Sequence, residues 1–86
     1  MLTGKTESGF EYTIAENIAK DHITLKYLAK MVNDPTAVFS LIDRMVELGL
    51  DEPALYEHCK ADDGVVPIDA VAKEVTEIIQ SNAKNS

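Results

Sequence analysis

The chain holds a single cysteine, Cys59, so no intrachain disulfide can form, and the composition is compatible with a reducing compartment. Basic residues are also few: eight lysines and arginines stand against fifteen acids, for a formal charge of -7. That balance argues against nucleic-acid binding, which needs a dense basic face to neutralise phosphates. It disfavours anionic membranes as well, and it suits solubility and a basic or helical protein partner. No apolar run approaches the length of a membrane span, and the opening "MLTGKTESGF" lacks the apolar core of a secretion signal. The four glycines, at 4, 9, 49 and 64, lie far apart, so no glycine-rich loop cradles a phosphate. The expectation is a soluble, cytoplasmic protein.

What is present fits one small domain. The chain has 86 residues, and 45% of them are hydrophobic, enough for a core but a thin one. In "LTGKTESGFEYTI", Phe10, Tyr12 and Ile14 alternate with Glu11 and Thr13, the period of a half-buried strand. "ESG" before them is a turn signal, with glycine where positive φ is needed, so Leu2 to Thr6 pairs back as a first strand. "AENIAK" suggests a single helical turn. Asp21 then caps a helix over "HITLKYLAKMVN", "NDP" breaks it, and "TAVFSLIDRMVEL" forms the next, closed by Gly49. Asp51 caps a short helix in "DEPALYEHCK", and a last helix runs from about Pro67 to Ser81. The fold class is mainly α, in the α+β sense: an N-terminal β-hairpin followed by a bundle of about four short helices. Residues 1–80 form the domain, and 81–86 a frayed polar tail.

The helices differ in how far their apolar residues wrap. In the last one, Ile68, Val71, Ala72, Val75, Ile78 and Ile79 span roughly 120°, the width one core can serve. In the first, Ile23, Leu25, Tyr27, Leu28, Ala29, Met31 and Val32 spread over roughly 240°, and the arc of the second, around Phe39, covers about 200°. Either these two are central helices with neighbours on two sides, or they carry a surface for a partner. His22, Lys26 and Lys30 form the one basic line, read as a solvated face paired with Asp43 or Glu47.

Chemistry-bearing patterns are weak. "KADDGVVPIDAVAKEV" resembles half a calcium loop, but with Gly64 at the sixth position the ligand positions fall on Cys59, Ala61, Asp63 and Ala70, and only Asp63 can serve. The stretch reads instead as a turn into the last helix. His58, Cys59 and Asp62 fall short of a zinc site, which wants four ligands, usually in two close pairs. Cys59 as a nucleophile would need a base, but His58 is its chain neighbour and points about 100° away on a helix. Ser40-Leu41 in "FSLID" suggests the modified serine of an acyl carrier protein, except that Phe39 stands where an aspartate should and Ser40 falls inside a helix. No catalytic, cofactor or metal residue is assigned.

Read in order, "LTGKTESGFEYTI", the helix capped by Asp21, "NDPTAVFSLIDRMVELGL" and "EPALYEHCKADDGVVPIDAVAKEVTEII" resemble the small tail-assembly chaperones, and related prophage proteins, of long-tailed bacteriophages. "SGFEYTI" and "DGVVPIDAVAKEV" carry most of the likeness, which covers about residues 2–80. The resemblance implies a non-enzymatic protein of the bacterial host cytoplasm. It binds the long helical tape-measure protein, keeps it soluble until tail-tube protein polymerises around it, and is absent from the mature virion. It also implies a longer, frameshifted form that recruits the tube protein, 86 residues then being the short product. Such a chaperone needs apolar grooves and a charged exterior. The surplus apolar arc makes Tyr27, Met31, Phe39, Met45 and Val46 the candidate client-binding residues, and it also favours self-association. A small acidic adaptor that inhibits a host protein by mimicking nucleic acid is the alternative, with the carrier protein behind it.

Overall fold

The computed structural model describes residues 1–84, and its element order is the expected one. Strands β1 (Leu2–Lys5) and β2 (Glu11–Ile14) pair antiparallel, Leu2 opposite Ile14 and Lys5 opposite Glu11. Gly9 turns the hairpin at φ 98°, a conformation that costs glycine little. The alternation then sends Phe10 and Ile14 into the core. A short 3-10 turn, Ile18–Lys20, follows and buries Ile18.

Four α-helices complete the described residues: α1 (His22–Lys30), α2 (Ala37–Glu47), α3 (Glu52–Cys59) and α4 (Ile68–Lys84). Their ends follow from local chemistry. The Asp21 carboxylate accepts from the Thr24 amide at 2.9 Å and opens α1, and Asp51 accepts from the Ala54 amide at 3.1 Å and opens α3. The close of α2 is a Schellman turn. Gly49 sits at φ 114°, its amide donates to the Val46 carbonyl, and the Leu50 amide donates to the Met45 carbonyl. The Ala15 amide donates to the Leu48 carbonyl at 2.9 Å, which ties the end of β2 to the end of α2. Gly64, at φ 87°, turns the chain between Ala61 and Val65 ahead of α4.

The core is one cluster. Phe10, Ile14 and Ile18 meet Val38, Leu41, Ile42 and Met45 of α2, Leu50 and Leu55, and Val71, Val75, Ile78 and Ile79 of α4. Burying a side chain of this size contributes about 1.5–3 kcal/mol, so α2 and α4, with four such residues each, carry most of the apolar burial. By contrast, α1 is peripheral. It buries only Thr24, while Tyr27, Leu28 and Met31 are half-buried against the cluster. Its attachment to α2 is polar as well as apolar: Arg44 grips Asp21 through Nε at 2.9 Å and through a terminal nitrogen at 2.8 Å.

Four expectations need correction. Helix α4 does not stop at Ser81 but runs to Lys84, and the Asn82 side chain is buried, donating to the Ile78 carbonyl at 2.6 Å. Residues 81–84 of the expected frayed tail are therefore helical, and residues 85–86 lie outside the described residues. Ile68 is exposed although Val71 in the same first turn of α4 is in the core, while Glu74 at the edge of the apolar stripe is buried. The basic line of α1 is solvated as expected, but Asp43 and Glu47 do not pair with it. Glu47 lies 3.8 Å from Arg44 of its own helix, and Lys26 Nζ stands 5.8 Å above the Tyr27 ring. Met45, placed on the client surface by its arc, is a fully buried core residue.

Candidate functional site

Helix α2 divides its apolar residues between two faces. Val38, Leu41, Ile42 and Met45 point inward, and Phe39 and Val46, two turns apart on one line, point outward. Phe39 is 58% exposed, on a helix whose other face carries four core residues. Beside it is an apolar groove of about 270 Å³, walled by Val38, Phe39 and Ile42 of α2, Tyr56 of α3, Val66 of the connecting turn, and Ile68 and Val71 of α4. The short α3 and the Pro67 start of α4 create it. The turn at Gly64 brings the chain back beside α2 without filling the space between the helices.

The groove has an acidic rim. The Tyr56 phenol is pushed above its ordinary pKa by burial, and then by the negative charges of Glu52 and Asp43. Asp43 lies on the same line of α2 as Phe39 and Val46, at i+4 from the first. Among the described residues, neither Asp43 nor Glu52 is ion-paired; Arg44, the nearest cation in sequence to Asp43, is taken up by Asp21 and Glu47.

Of the five residues expected to meet a client, Phe39 lines this groove; Val46 is exposed further along α2 and is not among the lining residues. Met31 is half-buried in a separate shallow cleft that it shares with Pro35, Ile68 and Ala72. Tyr27 is half-buried on the core side of α1, and Met45 is inaccessible. The structure therefore leaves Phe39 and Val46 on one exposed line of α2, with only Phe39 at the groove, and places the other three elsewhere. The apolar surplus of α1 falls on residues not singled out from the sequence: Ile23, Leu25 and Ala29 of the helix and Val32 of the turn after it are exposed, Val32 to 83%. Tyr56, Val66 and Ile68 also belong to the groove and were missed. Their elements are too short, or too close to a helix end, for periodicity to assign a face.

A second constellation is polar. Glu74 of α4 is 4% exposed, and its Oε1 accepts hydrogen bonds from Thr6 Oγ1 and Ser8 Oγ, both at 2.7 Å. His58 Nε2 lies 2.9 Å from Ser8 Oγ and 3.7 Å from Glu74 Oε1. The grouping has the composition of a hydrolytic triad but not its polarity. Ser8 donates its one hydroxyl hydrogen to Glu74, so its oxygen is the acceptor for His58, and His58 cannot act as the base that withdraws the Ser8 proton. What the cluster does is fasten the hairpin tip. The Phe10 amide donates to Thr6 Oγ1 at 3.1 Å, the Glu7 amide donates to Glu77 at 2.6 Å, and the Phe10 ring lies 5.4 Å from the His58 ring. Cys59, half-buried beside it, has its thiol pKa pushed up by burial and by the charge of Glu74, the reverse of an activated nucleophile.

No family model matches the chain, and neither a curated protein nor a solved structure matches it.

Proposed function

We propose that this chain is a non-enzymatic tail-assembly chaperone of the long-tailed phage type, one that holds the tape-measure protein in solution while the tail is built. The observation that carries the reading is the groove beside Phe39: an apolar cleft on a domain of net charge -7 whose core closes without the residues at its mouth. A helical client with apolar faces needs such a cleft, and the complex needs the surrounding charge to stay dissolved. The same reading places the chain in the host cytoplasm and outside the finished virion. It assigns tail-tube recruitment to a longer form and includes self-association of the chain. Acidic mimicry of nucleic acid has less support, because Asp21, Glu74 and Glu77 are engaged in internal hydrogen bonds. The carrier-protein alternative also lacks the needed position: Ser40 lies inside α2.

The test is co-expression with the tape-measure protein encoded alongside it. The wild-type chain is expected to raise the soluble fraction of the client and to co-purify with it. Phe39→Asp is expected to lose both while keeping its own melting temperature, since the ring is mostly outside the core. Failure of the wild-type chain to rescue or co-purify the client refutes the reading.

A further inference from the structure

We infer that the groove seats one large apolar side chain of an amphipathic helix whose flanking residues are lysine or arginine. This rests on the chaperone reading for the identity of the client, but it is argued from the groove itself. At about 270 Å³ the space falls just below the roughly 300–1,000 Å³ of small-molecule sites, and it suits a single aromatic or leucine-sized anchor better than a metabolite. Its walls are three helices and a turn, with no strand edge among the lining residues, so an extended segment would find no backbone ladder to join. A helix satisfies its own backbone and presents only side chains, which is what this wall can receive.

Charge then selects the flanks. Asp43 lies one turn beyond Phe39 on α2 and Glu52 one turn before Tyr56 on α3, so both flank lining residues of the groove, and neither has a cationic partner among the described residues. A cation on the incoming helix meets two carboxylates there, and an acid meets repulsion. The same argument disfavours a second copy of this chain in the groove. Around its own exposed anchor, Phe39, a copy would bring Asp43 on the same face and a net charge of -7 toward an acidic rim. Leu25 and Val32 of a copy, exposed with Lys26 and Lys30 nearby, are the one part of this chain that matches the same chemistry, so a dimer is kept as an outcome of the test.

Two synthetic amphipathic helical peptides test the inference. They share one apolar face with a single phenylalanine anchor, and differ in flanks of lysine or of glutamate. Fluorescence anisotropy against the intact protein is expected to show the lysine peptide binding roughly tenfold tighter, with the preference shrinking as salt is raised. Asp43→Asn combined with Glu52→Gln should bring the two affinities within about threefold of each other, because rim charges set this selectivity. Phe39→Asp should weaken both peptides, and thermal melts should show all variants folded. Equal binding of the two peptides by the wild-type protein overturns the inference, as does a preference that survives the double substitution. A concentration-dependent dimer abolished by Phe39→Asp also overturns it, because the groove would then be occupied by a second copy. The two proposals fail separately. Rescue of the tape-measure protein that the Asp43→Asn, Glu52→Gln chain performs as well as wild type removes the charge argument and leaves the chaperone reading. A clear lysine preference without any rescue does the opposite.

Discussion

Replacing Asp21 with alanine removes the acceptor at a junction of three elements. Its carboxylate caps α1 through the Thr24 amide at 2.9 Å, takes the Thr24 hydroxyl at 2.7 Å, and receives the Arg44 guanidinium through two bonds of 2.8–2.9 Å. Loss of an N-cap costs about 1 kcal/mol. Thr24 is fully buried, so its stranded hydroxyl adds about 1–3 kcal/mol. The sum, about 2–4 kcal/mol, corresponds to a fall in Tm of roughly 10–25 °C for a domain of this size. An asparagine side chain in the same place still caps the helix and still accepts from Thr24, so Asp21→Asn should cost only about 1 kcal/mol. Urea unfolding of the wild type and both variants reads the order directly. Removal of Arg44 in a double-mutant cycle with Asp21→Ala should show positive coupling, because the two residues share one bidentate contact. If Asp21→Ala is as stable as Asp21→Asn, or the cycle shows no coupling, the junction is not what holds α1 against α2.

The same carboxylate makes the protein acid-sensitive in a definite window. The Arg44 guanidinium, with the Thr24 bonds, holds the Asp21 pKa well below the usual carboxylate value, so its stabilisation is complete above about pH 4 and is lost as the pH falls further. Urea midpoints followed from pH 7 to pH 2 should drop more steeply in the wild type than in Asp21→Asn; parallel curves refute the assignment. At the other end of the molecule, Glu74→Ala should release the hairpin tip at a cost of about 1–3 kcal/mol, since buried Thr6 loses its acceptor. Hydrogen exchange at the Gly9 and Phe10 amides should accelerate by more than the global loss of stability explains, and unchanged exchange there would show that the turn holds itself.

The local rules of the chain were readable because each depends on neighbours in sequence. Gly9 and the alternation of Phe10, Tyr12 and Ile14 place the hairpin, Asp21 and Asp51 open helices, and Gly49 closes one. The pairings that lock the elements together have no such signature. Asp21 and Arg44 are 23 residues apart, and Thr6 and Glu74 are 68 apart; nothing in the periodicity of either partner names the other. Glu74 had one visible sign, its position at the edge of the α4 stripe beside Val71 and Ile78. The client surface was half legible for a related reason. A 200° arc on α2 shows that apolar surface exceeds one contact, but the inward or outward direction of Met45 and Phe39 depends on where α3 and α4 land. Helix α4 runs past its expected end, and there Asn82, a polar residue that marks loops by composition, donates to the Ile78 carbonyl one turn back.

The two over-wide helices leave apolar surface exposed for different reasons, and the difference bears on function. On α1 the exposed strip is the face turned away from α2: the helix packs through one buried threonine, the Asp21 carboxylate and half-buried side chains, and its outer face meets no other element among the described residues. On α2 the helix is central, and its inward face is complete with Val38, Leu41, Ile42 and Met45. Phe39 contributes little to closing that core, yet it stands at the mouth of a cleft that two other helices and a turn shape, with uncompensated acids beside it. A ring that keeps 58% of its surface in water forgoes roughly half of the about 1.5–3 kcal/mol that full burial of a side chain of that size contributes. Burial against an incoming helix recovers that stabilisation, and the acidic rim decides which helix can approach. The groove on α2, and not the more exposed strip on α1, is therefore where recognition is expected to take place.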